Sequence, residues 1–316
     1  MRLCIDPAVF DPAAISAETQ ALNAAIISRM DAEPPGLSVQ EVRARRAQGI
    51  GAFPAAPKSP RAETVTIEGP GGPLTLRVIA PEKPRGVYLH IHGGGWVQGG
   101  ADQQDPRLER LADKGIAAVS VEYRLAPEDP YPAAPDDCEA VALWLAREGA
   151  QRFGTTRFGI GGESAGAHLA VVTLVRLRDR HRLSPFAAAN LSYGCFDLAL
   201  TPSARSFGDE KLVLNTPDIE RFVTNFLARG GDLRDPDVSP IHADLRGLPP
   251  AIFTIGTRDA LLDDTLFMAP RWLAAGNETE LQIYPGGAHA LVNLPSTLGR
   301  QALARIEAYL VQRLDA

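Results

Sequence analysis

The sequence predicts an α/β fold: a mostly parallel eight-stranded sheet with helices on both faces and a helical cap. Three observations predict it. From about residue 86 to the C-terminus, short apolar segments alternate with helical patterns, as in a parallel sheet wrapped by crossover helices. The first of these segments, GVYLHIH, is apolar almost without a break, which marks a strand buried on both faces. Just before it, ETVTIEG and PLTLRVIAP alternate around the turn GPGG and read as an antiparallel hairpin at one edge of the sheet.

The elements follow in order. In AISAETQALNAAIISRM, Ile15, Leu22, Ile26 and Met30 recur at helical spacing. Two prolines between Asp31 and Gly36 end that helix. Ser38 opens a second one, with Glu41 three residues on as its capping-box partner. The stretch 54–60 (PAAPKSP) reads as a linker. After the hairpin and GVYLHIH come a helix near 103–114, strand AAVSVEY, a helix over 133–148, strand RFGIGG, a helix over 164–178 and strand AAANLSY. A stretch from about 198 to 236 interrupts the alternation. It holds one helix, DIERFVTNFLARG, ended by Gly230-Gly231. Strand AIFTIGT, a helix over 264–275, strand ELQIYPG and a last helix near 297–313 complete the chain. This divides it into an N-terminal helical segment, 1–55, and an α/β domain, 56–316, with an insertion at about 198–236. Both the N-terminal segment and the insertion are expected to lie over the site as a cap.

Composition bounds the function. The chain has 316 residues, 45% hydrophobic and 22% charged, with a formal net charge of −6. That balance supports one large core and offers no basic footprint for nucleic acid or an anionic membrane surface. Cys4, Cys138 and Cys195 are few, far apart and odd in number, so neither a disulfide framework nor a zinc site is expected. The N-terminus lacks the apolar stretch of a signal peptide, and no apolar run approaches the roughly 18 residues of a membrane span. A cytoplasmic protein is expected. A homodimer through an edge strand or helix is compatible with such a fold.

The chemistry concentrates in four places. Gly162-Glu163-Ser164-Ala165-Gly166 follows a strand and opens a helix, the setting in which G-x-S-x-G forms a sharp turn that exposes a nucleophilic serine at the helix N-terminus. The alternative is a serine that merely caps the helix. His92-Gly93-Gly94-Gly95-Trp96 follows strand GVYLHI, and its three glycines leave backbone N–H groups unshielded. Together with the Ala165 N–H, such donors can hold the oxygen of a tetrahedral intermediate. His90 and His92 alternate on this strand without an evident third metal ligand, and His92 is read as a brace for the loop.

A serine hydroxyl needs a base. In the α/β-hydrolase fold the chain order is serine, acid, histidine. Of the downstream histidines, His181 sits in a polar run at a helix end and His242 in a loop before a strand. His289 follows the last strand, where the base belongs, and is favoured over His242. Asp259, just after strand AIFTIGT, is the first choice for the acid and Asp263 the second. Asp263 and Asp264 are expected to cap the following helix.

At these residues the sequence resembles the hormone-sensitive-lipase-like esterases, bacterial family IV. The resemblance runs over roughly residues 85–295 and includes HGGGW at 92–96, EYRLAPEDPYPAAPDD at 122–137, GESAG at 162–166, SPIHADLRGLPP at 239–250 and DALLDD at 259–264. It implies a triad of Ser164, Asp259 and His289, and an oxyanion hole from Gly94, Gly95 and Ala165 with Gly93 permitting the turn. It also implies a helical cap, no cofactor, and hydrolysis of small esters with short to medium acyl chains. The chain departs from the family pattern at Ala260, where proline is usual, at Ala290-Leu291, where glycine and phenylalanine are usual, at Glu163, and at Ala167-His168.

SAGAHLA at 164–170 and YGCFDL at 193–198 look similar to the kynurenine formamidase branch of the same fold, which makes an arylformamide the alternative substrate. His168 lies one helical turn after Ser164 and reads as packing behind it. Some plant hormone receptors resemble this family and bind a ligand without hydrolysing it, but they lack the catalytic histidine that His289 supplies here.

Overall fold

The computed structural model describes residues 3–34, 36–51 and 55–315. Part of the expected linker, residue 54, lies outside them. Within the described part of that stretch Ser59 is buried: its N–H donates to Asp105 at 2.7 Å, and its hydroxyl bonds Glu109.

The N-terminal segment forms two 3₁₀ turns, Pro7–Phe10 and Pro12–Ala14, then helices α1 (Ala17–Asp31) and α2 (Val39–Ala47). Ile15 precedes α1, because Ser16 accepts from the Thr19 N–H and so sets the helix start one residue later. The buried positions of α1 are Thr19, Asn23 and Ile26. Asn23 donates to the Gly286 carbonyl at 2.9 Å, so part of the inward face is polar and hydrogen-bonded. Ser38 and Glu41 make the expected reciprocal cap on α2.

The hairpin is β1 (Glu63–Gly69) and β2 (Gly72–Ile79). Then follow β3 (Gly86–Ile91), α3 (Asp105–Asp113), β4 (Ile116–Val121), α4 (Ala133–Phe153), β5 (Phe158–Glu163), α5 (Ala165–His181) and β6 (Phe186–Ser192). The insertion carries a short helix, α6 (Pro202–Ser206), and α7 (Thr216–Phe226). The chain closes with β7 (Ala251–Arg258), α8 (Leu262–Ala274), β8 (Thr279–Ala288) and α9 (Thr297–Leu314).

The eight strands form one sheet in the order β1-β2-β4-β3-β5-β6-β7-β8. The hairpin is antiparallel to its neighbour β4, and every pair from β4 to β8 is parallel. β3 and β5 lie at the centre, and all their residues are buried. Their side chains alternate between two cores. Val87, Leu89 and Ile91 join the layer with α4, α5 and α8, while Tyr88 joins the layer with α3 and α9.

Two helix ends differ from the sequence expectation. α4 continues to Phe153 and closes on Gly154 in the left-handed conformation. α7 ends at Phe226, short of Gly230-Gly231. The Phe226 carbonyl accepts from the Tyr131 N–H at 2.7 Å, and its ring stacks on Trp96 at 4.7 Å. These tertiary contacts stop the helix before the glycines are reached.

Candidate active site

β5 runs into α5 through Ser164, whose φ of 55° and ψ of −121° are costly for a residue with a side chain. The turn is held by close approach. A Cβ on Gly162 or Gly166 would overlap the Ile91 carbonyl at the end of β3, so only glycine lets the two strand ends and the helix come together. The Ser164 N–H donates to Ser192 at the end of β6 at 2.9 Å, which ties the turn to the next strand.

His289 immediately follows β8 and is buried. Its Nδ1 lies 3.0 Å from both carboxylate oxygens of Asp259, and its Nε2 lies 2.9 Å from Ser164 Oγ. A carboxylate accepts, so Nδ1 carries the hydrogen and Nε2 faces the serine hydroxyl with its lone pair. Asp259 follows β7 and is held by the Leu261 N–H at 2.9 Å. The edge of Tyr193 packs on the imidazole, with ring centroids 5.1 Å apart.

The structure therefore brings Ser164, Asp259 and His289 together and leaves the competing residues elsewhere. His242 is the exposed last residue of a 3₁₀ turn, Pro240–His242, whose other two residues are buried. His181 is the exposed last residue of α5, as expected, and lies 2.6 Å from Glu139. Asp263 and Asp264 do not cap α8. Asp263 accepts from the Ser203 N–H at 2.8 Å, and Asp264 accepts from the Phe196 and Asp197 N–H groups and the Thr201 hydroxyl. The first turn of α8 packs against the start of the insertion, so these carboxylates reach across to it. Burial pushes the Asp264 carboxyl up to about 7.

The glycine bend lies beside the serine. Gly94 and Gly95 have φ of 123° and 59°, and among the described residues neither N–H donates to a protein group. The Ala165 N–H opens α5, where the helix supplies no partner of its own. The bend is braced from below. His92 stacks on Tyr123 at 4.1 Å and donates to the Gly93 carbonyl at 2.9 Å, while the Tyr123 hydroxyl donates to the His92 carbonyl at 2.9 Å. The Trp96 indole N–H donates to His168 Nδ1 at 3.2 Å, and His168 Nε2 donates to the Val238 carbonyl at 2.8 Å. The His168 ring thus links the bend to the chain after α7, while its backbone N–H donates to the Ser164 carbonyl at 3.1 Å.

Behind the turn, the buried Glu163 carboxylate is ion-paired with Arg107 of α3, and His90 Nε2 lies 3.6 Å from it. Burial raises the Glu163 carboxyl above its ordinary range against the opposing pull of Arg107. Burial holds the His90 ring neutral.

Ser164 and His289 open into a cavity of about 160 Å³. Its wall includes Met30, Val42 and Ile50 from the N-terminal segment and Val213, Leu214 and Phe222 from the insertion. A Cβ on Gly95 would meet the Phe222 ring, so α7 sits directly on the bend. α2 is fixed to the same bend by Arg43, which donates to the Val97 and Ala126 carbonyls at 2.6 and 2.7 Å and pairs with Glu128 at 2.9 Å. Sequence periodicity singled out Met30 but not the other wall residues, although their two segments were read as a cap.

A parallel sheet with a strained strand-to-helix turn at its centre and a histidine beyond its last strand defines an α/β hydrolase. A family profile described as the alpha/beta hydrolase fold matches residues 88–293. The chain is 33% identical over 233 residues to an acetyl-hydrolase of Streptomyces hygroscopicus, covering 73% of this chain and 75% of the relative. The solved hyperthermophilic esterase of the archaeon Pyrobaculum calidifontis superposes with a TM-score of 0.83 at 30% identity, covering 94% of this chain and 98% of that one. A hormone-sensitive lipase from a metagenome library gives 0.82 at 25% identity, with coverage of 94% and 98%. The chain belongs to the alpha/beta hydrolase family, among its hormone-sensitive-lipase-like carboxylesterases. Among the described residues, no helix is long and apolar enough to cross a membrane.

Proposed function

We propose that this carboxylesterase works through an acyl-enzyme on Ser164, with His289 as base and Asp259 as its orienter. The reading rests on one observation: a single imidazole lies 2.9 Å from Ser164 Oγ and 3.0 Å from Asp259. His289 takes the serine proton as Ser164 attacks the ester carbonyl. The Gly94, Gly95 and Ala165 amides receive the oxyanion, each donor supplying about 3 kcal/mol to the barrier. Protonated His289 then gives its proton to the leaving alcohol, and water repeats the sequence on the acyl group. Asp259 holds the tautomer and stabilises the imidazolium without taking the proton.

The N-terminal segment and the insertion act as the cap that sets substrate size. A cavity of about 160 Å³ is small beside ligand pockets of roughly 300–1,000 Å³. This supports short acyl chains over long ones. The arylformamide alternative draws nothing from His168, which is engaged by Trp96 and Val238. The test is a panel of 4-nitrophenyl esters from acetyl to lauroyl with an N-formyl aromatic amine included. We expect kcat/KM to peak at the short end and fall several-fold towards the longest chains. Preference for the formamide, or for the longest ester, would overturn the reading.

A further inference from the structure

Tyr193 follows β6 and is fully buried, yet two local features of it are unfavourable. Its φ is 38°, in the left-handed region that a bulky side chain avoids. Its hydroxyl bonds no protein group among the described residues, and a buried hydroxyl without a partner is costly. Backbone strain of this kind persists where the surrounding structure enforces it, and it clusters at active sites. Here the rim of the sheet enforces it. The Tyr193 N–H donates to the Thr254 carbonyl of β7 at 2.7 Å, and the Ser192 carbonyl accepts from the Ser164 N–H at 2.9 Å. The single peptide unit joining Ser192 to Tyr193 therefore clamps the turn that carries Ser164 to the strand that leads to Asp259.

From this clamp the side chain reaches His289. The two ring centroids are 5.1 Å apart and the ring planes stand at 68° to each other. Tyr193 also packs in the buried cluster that holds Ala290 and Leu291, the two residues after His289. The hydrogen bonds of His289 leave from its two nitrogens, towards Asp259 and Ser164. Bonds at these two points leave the ring free to roll about the line that joins them. A second ring set against it at a steep angle blocks that roll, in the geometry that aromatic pairs favour. Burial first, with Glu163 and Asp259 adding to it against Arg107, keeps the phenol protonated far above its ordinary range. Tyr193 thus meets the imidazole as a neutral surface.

We infer, on the basis of the triad proposed above, that Tyr193 is a positioning residue: its ring, and not its hydroxyl, holds the His289 imidazole in the plane in which Nε2 meets Ser164 Oγ. Tyr193 acts through His289 and takes no proton itself. Acylation and deacylation use the same imidazole, so both steps depend on this contact.

The test compares wild type, Tyr193→Phe and Tyr193→Leu on 4-nitrophenyl butyrate, with rates expressed per serine that a fluorophosphonate labels. Tyr193→Leu removes the ring and should lower kcat and kcat/KM equally, by about 10–100-fold, as a small misplacement of a catalytic group does. KM should stay unchanged, and the probe should label Ser164 more slowly in the same proportion. Tyr193→Phe keeps the ring and should keep the wild-type rate. In proton NMR spectra the low-field resonance of the His289 Nδ1–H should be sharp in wild type and Tyr193→Phe and broadened in Tyr193→Leu. A tyrosine that only fills space would lower the urea midpoint of Tyr193→Leu and leave the rate per active serine and this resonance as in wild type, which would overturn the inference. So would a Tyr193→Phe as slow as Tyr193→Leu, since the hydroxyl would then carry the effect. If Tyr193→Leu does not fold, the wild-type protein still decides. Nuclear Overhauser contacts should join the ring protons of His289 to a tyrosine ring and vanish in Tyr193→Phe, and their absence from wild type would overturn the inference. If the fluorophosphonate fails to label Ser164 in wild type, the triad itself fails.

Discussion

The imidazole Nε2 of His289 lies 2.9 Å from Ser164 Oγ, although 125 residues separate them in the chain. They meet because β5 and β8 end on the same rim of one parallel sheet. A fluorophosphonate probe should therefore add a single mass increment to the protein. The increment should vanish in Ser164→Ala and form much more slowly in His289→Ala. Labelling at another residue in the wild-type protein would exclude Ser164 as nucleophile.

Asp259 and Asp263 are four residues apart and do different work. Asp259→Asn keeps the shape of the side chain and disturbs the tautomer of His289, so kcat should fall by about 10⁴-fold. Asp263 binds Ser203, so Asp263→Asn should cost about 1 kcal/mol of stability and leave kcat within a few-fold. Steady-state kinetics and urea denaturation of both variants decide between them. Equal losses of kcat would make Asp263 a partner in the chemistry.

Glu163 and Arg107 form a buried pair directly behind the Ser164 turn. Glu163→Gln strands the guanidinium and should destabilise the fold by about 3–5 kcal/mol. Adding Arg107→Met removes the stranded charge and should restore a large part of that loss. A double variant as unstable as the two single losses added together would show that packing, and not charge, sets the cost.

His168 is fully buried and burial lowers its pKa to about 4, below the ordinary histidine value of 6.5. In the unfolded chain it takes a proton between pH 6.5 and about 4, while the folded protein does not. Stability is therefore lost as pH falls through that window, by up to about 1.4 kcal/mol per pH unit for this group. Comparing wild type with His168→Gln isolates it, because His92 and Asp264 contribute equally to both. Denaturant midpoints at pH 7 and pH 5 should drop more in the wild type. Parallel drops would contradict a neutral, buried His168.

Phe222 of the insertion presses on the Gly95 bend and on the cavity. Phe222→Ala should raise the ratio of octanoyl to butyryl ester hydrolysis by about tenfold, in line with the small discrimination a hydrophobic pocket exerts per methylene. An unchanged ratio would remove α7 from the cap.

What could be read from the sequence divides along a physical line. A nearly continuous apolar run identified β3, because a strand buried on both faces leaves no polar alternation, and the alternation of strand and helix signals identified β4 to β8. G-x-S-x-G, the triple glycine and a histidine after the last strand were legible because each depends on local backbone geometry. Wall residues such as Val42 and Phe222 were not. They meet only through the docking of α2 and α7 on the bend, and helical periodicity cannot say what a helix docks against. Asp263 and Asp264 were misread for a related reason. A carboxylate in a first helical turn can cap its own helix or reach a neighbouring loop, and only the tertiary fold chooses. The end of α7 was likewise set by Tyr131, far away in the chain, and not by the nearby glycines.

Arg43 makes four hydrogen bonds from α2, two to carbonyls beside the glycine bend and two to Glu128. A door hung this way cannot swing without pulling on its own threshold. Any motion that lifts α2 to admit a substrate also tugs at the segment whose amides are proposed to receive the oxyanion. Loosening this hinge, as in Arg43→Ala, would thus trade faster admission for poorer catalysis, coupling two steps that a free-standing lid would keep apart.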